Sequence, residues 1–110
     1  MPKPWPRPPP PNWKPQDELM RESLRRRITN LRLPEQKRAE LILELAKFGP
    51  CALTDLEEMS WAESFDFRRL SVGLQFYARQ CVKWLRERYE NPRSRKPPPK
   101  PVAYRMLGPR

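Results

Sequence analysis

A chain of 110 residues has room for one domain at most, and this one spends 16 of them on proline and none on histidine. The missing histidine removes the commonest metal ligand and general base, and no run of about 18 apolar residues exists to span a membrane. Lysine and arginine outnumber aspartate and glutamate 23 to 13, a net charge of +10 that favours polyanionic partners.

All prolines except Pro34 and Pro50 lie in 1–15 or 92–110. Proline fixes φ and has no N–H to donate, so these stretches are expected as disordered, extended, solvated tails. The helical domain is assigned to 16–91. A core that small is marginal by itself, which makes a protein partner or self-association into a homo-oligomer a natural source of added stability. The opening residues, Met1-Pro-Lys-Pro-Trp-Pro-Arg, lack the apolar stretch of a secretory signal, so a cytoplasmic or nuclear location is expected.

Three main helices are predicted, giving an all-α small helical bundle. The first covers 15–30: Pro15 suits an opening turn, Asp17 and Glu18 face the positive end of the helix dipole, and Met20, Leu24, Ile28 and Leu31 recur on one face. Arg21, Arg25, Arg26, Arg27 and Arg32 fill the rest of that segment. The second begins at Pro34 and is stopped by Gly49-Pro50, with Leu41, Ile42, Leu45, Ala46 and Phe48 as its apolar face; its charges cancel, as befits a central core helix. Two capping-box patterns, from Thr54 to Glu57 and from Ser60 to Glu63, predict a short turn of helix followed by a fresh start. The third and longest helix covers 67–91, carrying Phe67, Leu70, Leu74, Tyr77, Cys81, Trp84 and Leu85 on one stripe and Val72 and Phe76 on a second apolar patch. A partner protein is the economical cover for that second patch.

The search for catalytic chemistry is negative. Gly49, Gly73 and Gly108 are scattered and form no phosphate loop, and Glu57 and Glu58 are adjacent, so they diverge on a helix. No enzyme, cofactor or metal site is expected. Cys51 precedes a helix start, where the dipole would favour a thiolate, but no histidine is present to act as its base. Two cysteines, Cys51 and Cys81, read as reduced thiols rather than a zinc site or a disulfide.

The charge distribution suggests a binding surface. Arg21, Arg25, Arg26 and Arg27 cluster on the first helix, and Arg86, Arg88, Arg93, Arg95 and Lys96 carry positive charge off the end of the last one. Such cations are the means of contacting nucleic-acid phosphates; as an alternative they are a solvated face that Glu18 and Glu22 partly neutralise. Residues 50–66 sum to −5 and interrupt any uniform cationic surface. That interval would either dock on the protein's own arginine helix or repel phosphate and orient the chain.

Trp5 and Trp13 lie in the proline tail and suggest a linear motif, whereas Trp61 and Trp84 suggest core or interface anchors. Lys3-x-x-Pro6-x-x-Pro9 and Arg95-x-x-Pro98-x-x-Pro101 fit the pattern read by SH3-type grooves, and Tyr104-Arg-Met-Leu107 fits a short sorting pattern. The layout, proline-containing tails flanking three helices, loosely resembles small lentiviral accessory proteins such as Vpr and Vpx. Those families hold zinc through histidine and cysteine; with no histidine here, no residue role carries over.

Two functions follow as expectations. The first is a non-enzymatic protein that binds RNA, DNA or a ribonucleoprotein through Arg21, Arg25, Arg26, Arg27 and the basic stretch beyond Arg86. The alternative is a protein–protein adaptor using Trp5, Trp13, Val72 and Phe76. A peripheral membrane role resting on the first amphipathic helix ranks below both.

Overall fold

A computed structural model describes residues 11–61, 67, 70–91, 93 and 95–101. These residues form four α-helices with no strand among them: α1 Glu18–Ile28, α2 Glu35–Ala46, α3 Leu53–Trp61 and α4 Val72–Glu90. Short 3-10 turns, Pro15–Asp17 and Pro50–Ala52, lead into α1 and α3.

Helix ends follow local chemistry. Pro34 is the N-cap of α2, its extended φ and ψ setting the entry to the helix. At the other end Gly49 adopts φ 105°, a left-handed conformation that costs glycine little, and Pro50 opens the next turn. The first capping box does not act as a cap. The Pro50 turn runs directly into α3, so Thr54 lies inside a helix already begun. Ser60 is buried and donates its hydroxyl back to the Leu56 carbonyl at 2.8 Å. Glu63 falls outside the described residues.

The longest helix starts five residues later than its apolar spacing predicts. Ser71 caps α4, its Oγ accepting the Leu74 N–H at 3.2 Å. Phe67 and Leu70 keep helical spacing because a turn, Leu70 N–H to Phe67 O at 3.0 Å, brings both onto the core side.

The core gathers Leu24 and Ile28 of α1, Ala39, Leu41, Ile42, Leu45 and Ala46 of α2, Leu53, Leu56 and Met59 of α3, and Leu74, Tyr77, Ala78, Cys81 and Leu85 of α4. Helix α3 lies chiefly on α4, α1 lies on α2, and α2 also meets α4. Met20 and Leu31, expected on the apolar stripe of α1, are exposed. At 100° per residue the inward side of α1 centres on Ile28 and includes Arg21 and Arg25 rather than Met20, while Leu31 lies past the helix end.

Arginine also closes helix ends. Arg38 is buried on α2 and donates Nε to the Ile28 carbonyl at 2.7 Å, meeting an orphan acceptor at the negative end of α1. Burial lowers the affinity of its guanidinium for a proton, and Glu35 partly offsets this. Arg79 of α4 donates to the Ser60 carbonyl at 3.2 Å, closing α3 in the same way.

The stretch 95–101 carries no helix or strand, as its prolines dictate, yet it is not detached from the domain. Trp84 donates its indole N–H to the Lys96 carbonyl at 3.0 Å, and Tyr77 donates its hydroxyl to the Pro99 carbonyl at 2.8 Å. The described part of the expected solvated tail is thus held against α4.

Replacing Gly49 by alanine meets no steric neighbour within 4 Å but forces a β-carbon into the left-handed region. The expected loss is about 1 kcal/mol of folding stability, read from urea unfolding with an unchanged m-value.

Candidate nucleic-acid interface

The arginines grouped by sequence separate in space. On α1, Arg21 points Nε and Nη2 at the two carboxylate oxygens of Asp55, at 2.9 and 3.0 Å. Arg25 places Nη1 2.5 Å from Asp55 Oδ1 and 3.7 Å from Glu58 Oε1. Its guanidinium also lies over the Phe67 ring, 4.7 Å from the centroid. Asp55 is 1 % exposed, so the carboxylate belongs to the interior, and the two arginines reach it from the partly exposed edge. The Asp55 hydrogen bond holds the Arg21 guanidinium above its ordinary affinity for a proton, against the opposing effect of burial. Arg21 and Arg25 therefore have a carboxylate partner within the chain. A periodic signal was present: Arg21, Arg25 and Ile28 share one α1 face, and Asp55 precedes buried Met59 by four residues.

Arg26 and Arg27 diverge from that face and stand in solvent. Neither forms an ion pair with any described residue. On α4, Arg86 reaches Glu57 of α3 at 2.5 Å, while Arg88 is exposed, its guanidinium 5.3 Å from the centre of the Trp84 ring. Arg93 and Arg95 are exposed past the helix end. Lys96 pairs with Glu87 at 2.8 Å. Of the nine cations read from the sequence as phosphate contacts, four form ion pairs inside the chain and Arg26, Arg27, Arg88, Arg93 and Arg95 face outward.

The residues read as partner contacts also divide. Trp5 lies outside the described residues. Trp13 is not a free handle in a tail: it is half-buried, its ring 5.0 Å from that of Phe48 and with Arg21 5.5 Å from its centre. Two residues before Pro15, it is close enough to the start of α1 to fold back over the end of α2. Val72 and Phe76 are exposed at 56 and 41 %. Trp61, expected as a core or interface anchor, is 61 % exposed with Arg79 4.4 Å over its ring.

Neither thiol is activated. Burial raises the Cys51 thiol above its ordinary value, the reverse of what its place before a helix suggested. Burial pushes Cys81 up to about 12, with the neighbouring Tyr77 hydroxyl acting the other way. Both cysteines are free. Among the described residues no group of three or more Cys, Asp or Glu is placed to hold a metal ion, and no helix is long and apolar enough to cross a membrane. In comparisons with protein-family models, curated proteins and solved structures, nothing matches this chain.

The asymmetry of the Asp55 cluster sets an order of stabilities. Arg21 and Arg25 keep 33 and 20 % side-chain exposure and can turn to water when the carboxylate is lost, whereas Asp55 cannot when they are. The double substitution Arg21→Ala/Arg25→Ala should therefore cost about 3–5 kcal/mol, and Asp55→Asn clearly less, in the same denaturant titration.

The Cys81 shift gives a second expectation. The folded state keeps the thiol protonated up to about 12, while the unfolded chain ionises it near 9.0. Its contribution is complete below pH 9.0 and is lost as pH rises toward 12, at up to about 1.4 kcal/mol per pH unit. Cys81→Ala should remove that much of the alkaline slope of unfolding free energy, and Cys81 should resist thiol reagents at neutral pH until the domain opens.

Proposed function

We propose that the protein is a non-enzymatic binder of nucleic acid, making sequence-independent contacts to phosphate through Arg26, Arg27, Arg88, Arg93 and Arg95. One observation carries this reading: two carboxylates of the acidic stretch are matched by arginines of the same chain. Asp55 is buried against Arg21 and Arg25, and Glu57 is paired with Arg86. Two of the groups that would repel a polyanion are thus compensated within the molecule, while the chain as a whole carries +10. Exposed arginines on a rigid helical body can follow a charged backbone without a shaped pocket, and bound counterions leave the nucleic acid as they dock. The nucleus or cytoplasm fits such a role.

The test is binding to mixed single- and double-stranded RNA and DNA as salt is raised from roughly 50 to 200 mM. The logarithm of affinity should fall linearly with the logarithm of salt, by about 0.9 for each phosphate contacted. Arg26→Ala/Arg27→Ala should lower that slope by about 2 without loss of stability. Removing the paired arginines Arg21 and Arg25 should do the opposite, destabilising the fold while leaving the slope nearly as it was. Binding that disappears below physiological salt would reduce the charge to simple solvation.

A protein–protein reading has its own support in Trp61, Val72 and Phe76, all exposed. Val72, Phe76 and Arg79 follow one outward strip of α4, and Arg79 covers Trp61. An adaptor using this strip would bind in a manner that survives salt and is lost in Val72→Ser/Phe76→Ser.

A further inference from the structure

The chain already carries out one recognition event, on its own proline-rich segment. Residues 96–101 read Lys-Pro-Pro-Pro-Lys-Pro. Three side chains from two helices donate to their carbonyls: Trp84 Nε1 to Lys96 O at 3.0 Å, Tyr77 Oη to Pro99 O at 2.8 Å and Gln36 Nε2 to Pro101 O at 2.5 Å. Lys96 adds an ion pair to Glu87 at 2.8 Å. Pro98, Pro99 and Pro101 are half-buried, while Pro97 and Lys100 face solvent.

The spacing fits the ligand. A polyproline II chain has three residues per turn and rises about 3.1 Å per residue, so carbonyls three apart point the same way about 9.3 Å from one another. Tyr77 and Trp84 are seven residues apart, two helical turns, on the same face of α4 and separated by about 10.5 Å along its axis. The carbonyls they meet, Lys96 and Pro99, are three apart. The hydrogen-bond chemistry fits as well. Proline offers acceptors and no donor, and the site meets the segment's carbonyls with an indole N–H, a phenol O–H and a carboxamide N–H. Aromatic donors laid against an extended proline segment are the general solution for reading such chains, because the ligand is already stiff and loses little entropy on docking.

We propose that Tyr77, Trp84 and Glu87 of α4 form a recognition site for extended segments of the type (Lys/Arg)-Pro-Pro-Pro, occupied by the chain's own residues 96–99, with Gln36 of α2 holding the segment two residues further on, at Pro101. The proline supplies the acceptors and the pitch, and Glu87 requires a cation at the first position. The same pattern recurs once in the sequence, as Arg-Pro-Pro-Pro at 7–10. An external segment of this type competes with residues 96–99 for the same donors. This site does not rest on the nucleic-acid reading: Arg88 lies over the Trp84 ring, but none of the hydrogen bonds that define the site comes from the arginines assigned to phosphate.

The experiment uses the full chain labelled with nitrogen-15 and follows the Trp84 indole N–H, identified by its absence in Trp84→Phe. In the unaltered protein that proton should exchange with solvent at least about tenfold more slowly than the indole of exposed Trp61, because its hydrogen bond must open first. Pro97→Ala/Pro98→Ala/Pro99→Ala, whose substitutions lie outside every helix, should abolish most of the difference. Synthetic peptides with the sequences of residues 96–101 and 7–11 should then shift the Trp84 signal saturably in the triple variant. The unaltered protein should need at least about tenfold more peptide, since a tethered segment competes at an effective concentration near millimolar. A peptide with glutamate at the first position should bind several-fold more weakly. Should the triple variant lose helix, Lys96→Glu provides the same readout without altering a proline. Equal exchange rates for Trp84 and Trp61, no response to millimolar peptide in the loosened variant, or equal binding of a peptide with alanine in place of proline would each overturn the proposal.

Discussion

The carboxylate of Asp55, almost wholly enclosed, ties α3 to α1. The link is made by the long side chains of Arg21 and Arg25, which reach it from α1. A buried carboxylate is costly unless its lone pairs are filled, and here three guanidinium N–H groups fill them. Arg25 extends the cluster by lying over Phe67, a buried residue of the connection into α4. One side chain thereby links α1, α3 and the approach to the longest helix. In a domain with so short a sequence, an ion cluster of this kind does what a larger protein would do with a thicker apolar layer.

Arginine serves two purposes in this molecule, and the difference lies in direction rather than number. Arg21, Arg25 and Arg86 compensate carboxylates of α3, and Arg38 and Arg79 satisfy carbonyls at the ends of α1 and α3. Those five belong to the architecture. Arg26, Arg27, Arg88, Arg93 and Arg95 stand outward and carry the proposed contact with phosphate. The inner set offsets carboxylates of α3, so the outer set adds to the positive charge the molecule presents to solvent, beside exposed Glu22 and Glu90.

The proline-rich stretch after α4 shows a related economy. Tyr77 and Trp84 are largely buried, and both have a polar atom that needs a partner inside the fold. Carbonyls of residues 96 and 99 supply it, so the segment completes the surface of α4 while remaining extended. A ligand that also finishes the core is displaced only by something with the same pitch and the same acceptors.

The sequence by itself determined the all-helical class, the apolar stripes of α2 and α4, and the breaks at Pro34 and Gly49-Pro50. These are local properties: 3.6-residue periodicity and the geometry of proline and glycine act within a few residues. It also posed the acidic stretch as a choice between docking on the arginine helix and repelling phosphate, without deciding. Tertiary structure decided that, because the pairs join residues 34, 30 and 29 positions apart. It likewise separated Arg25 from Arg26 and Arg27, which differ in nothing but their angle about the helix axis. Trp13 against Phe48 and residues 96–101 on α4 were hidden for the same reason. Composition marks such segments as extended, but whether an extended segment floats or docks depends on donors and rings that only the folded chain brings beside it.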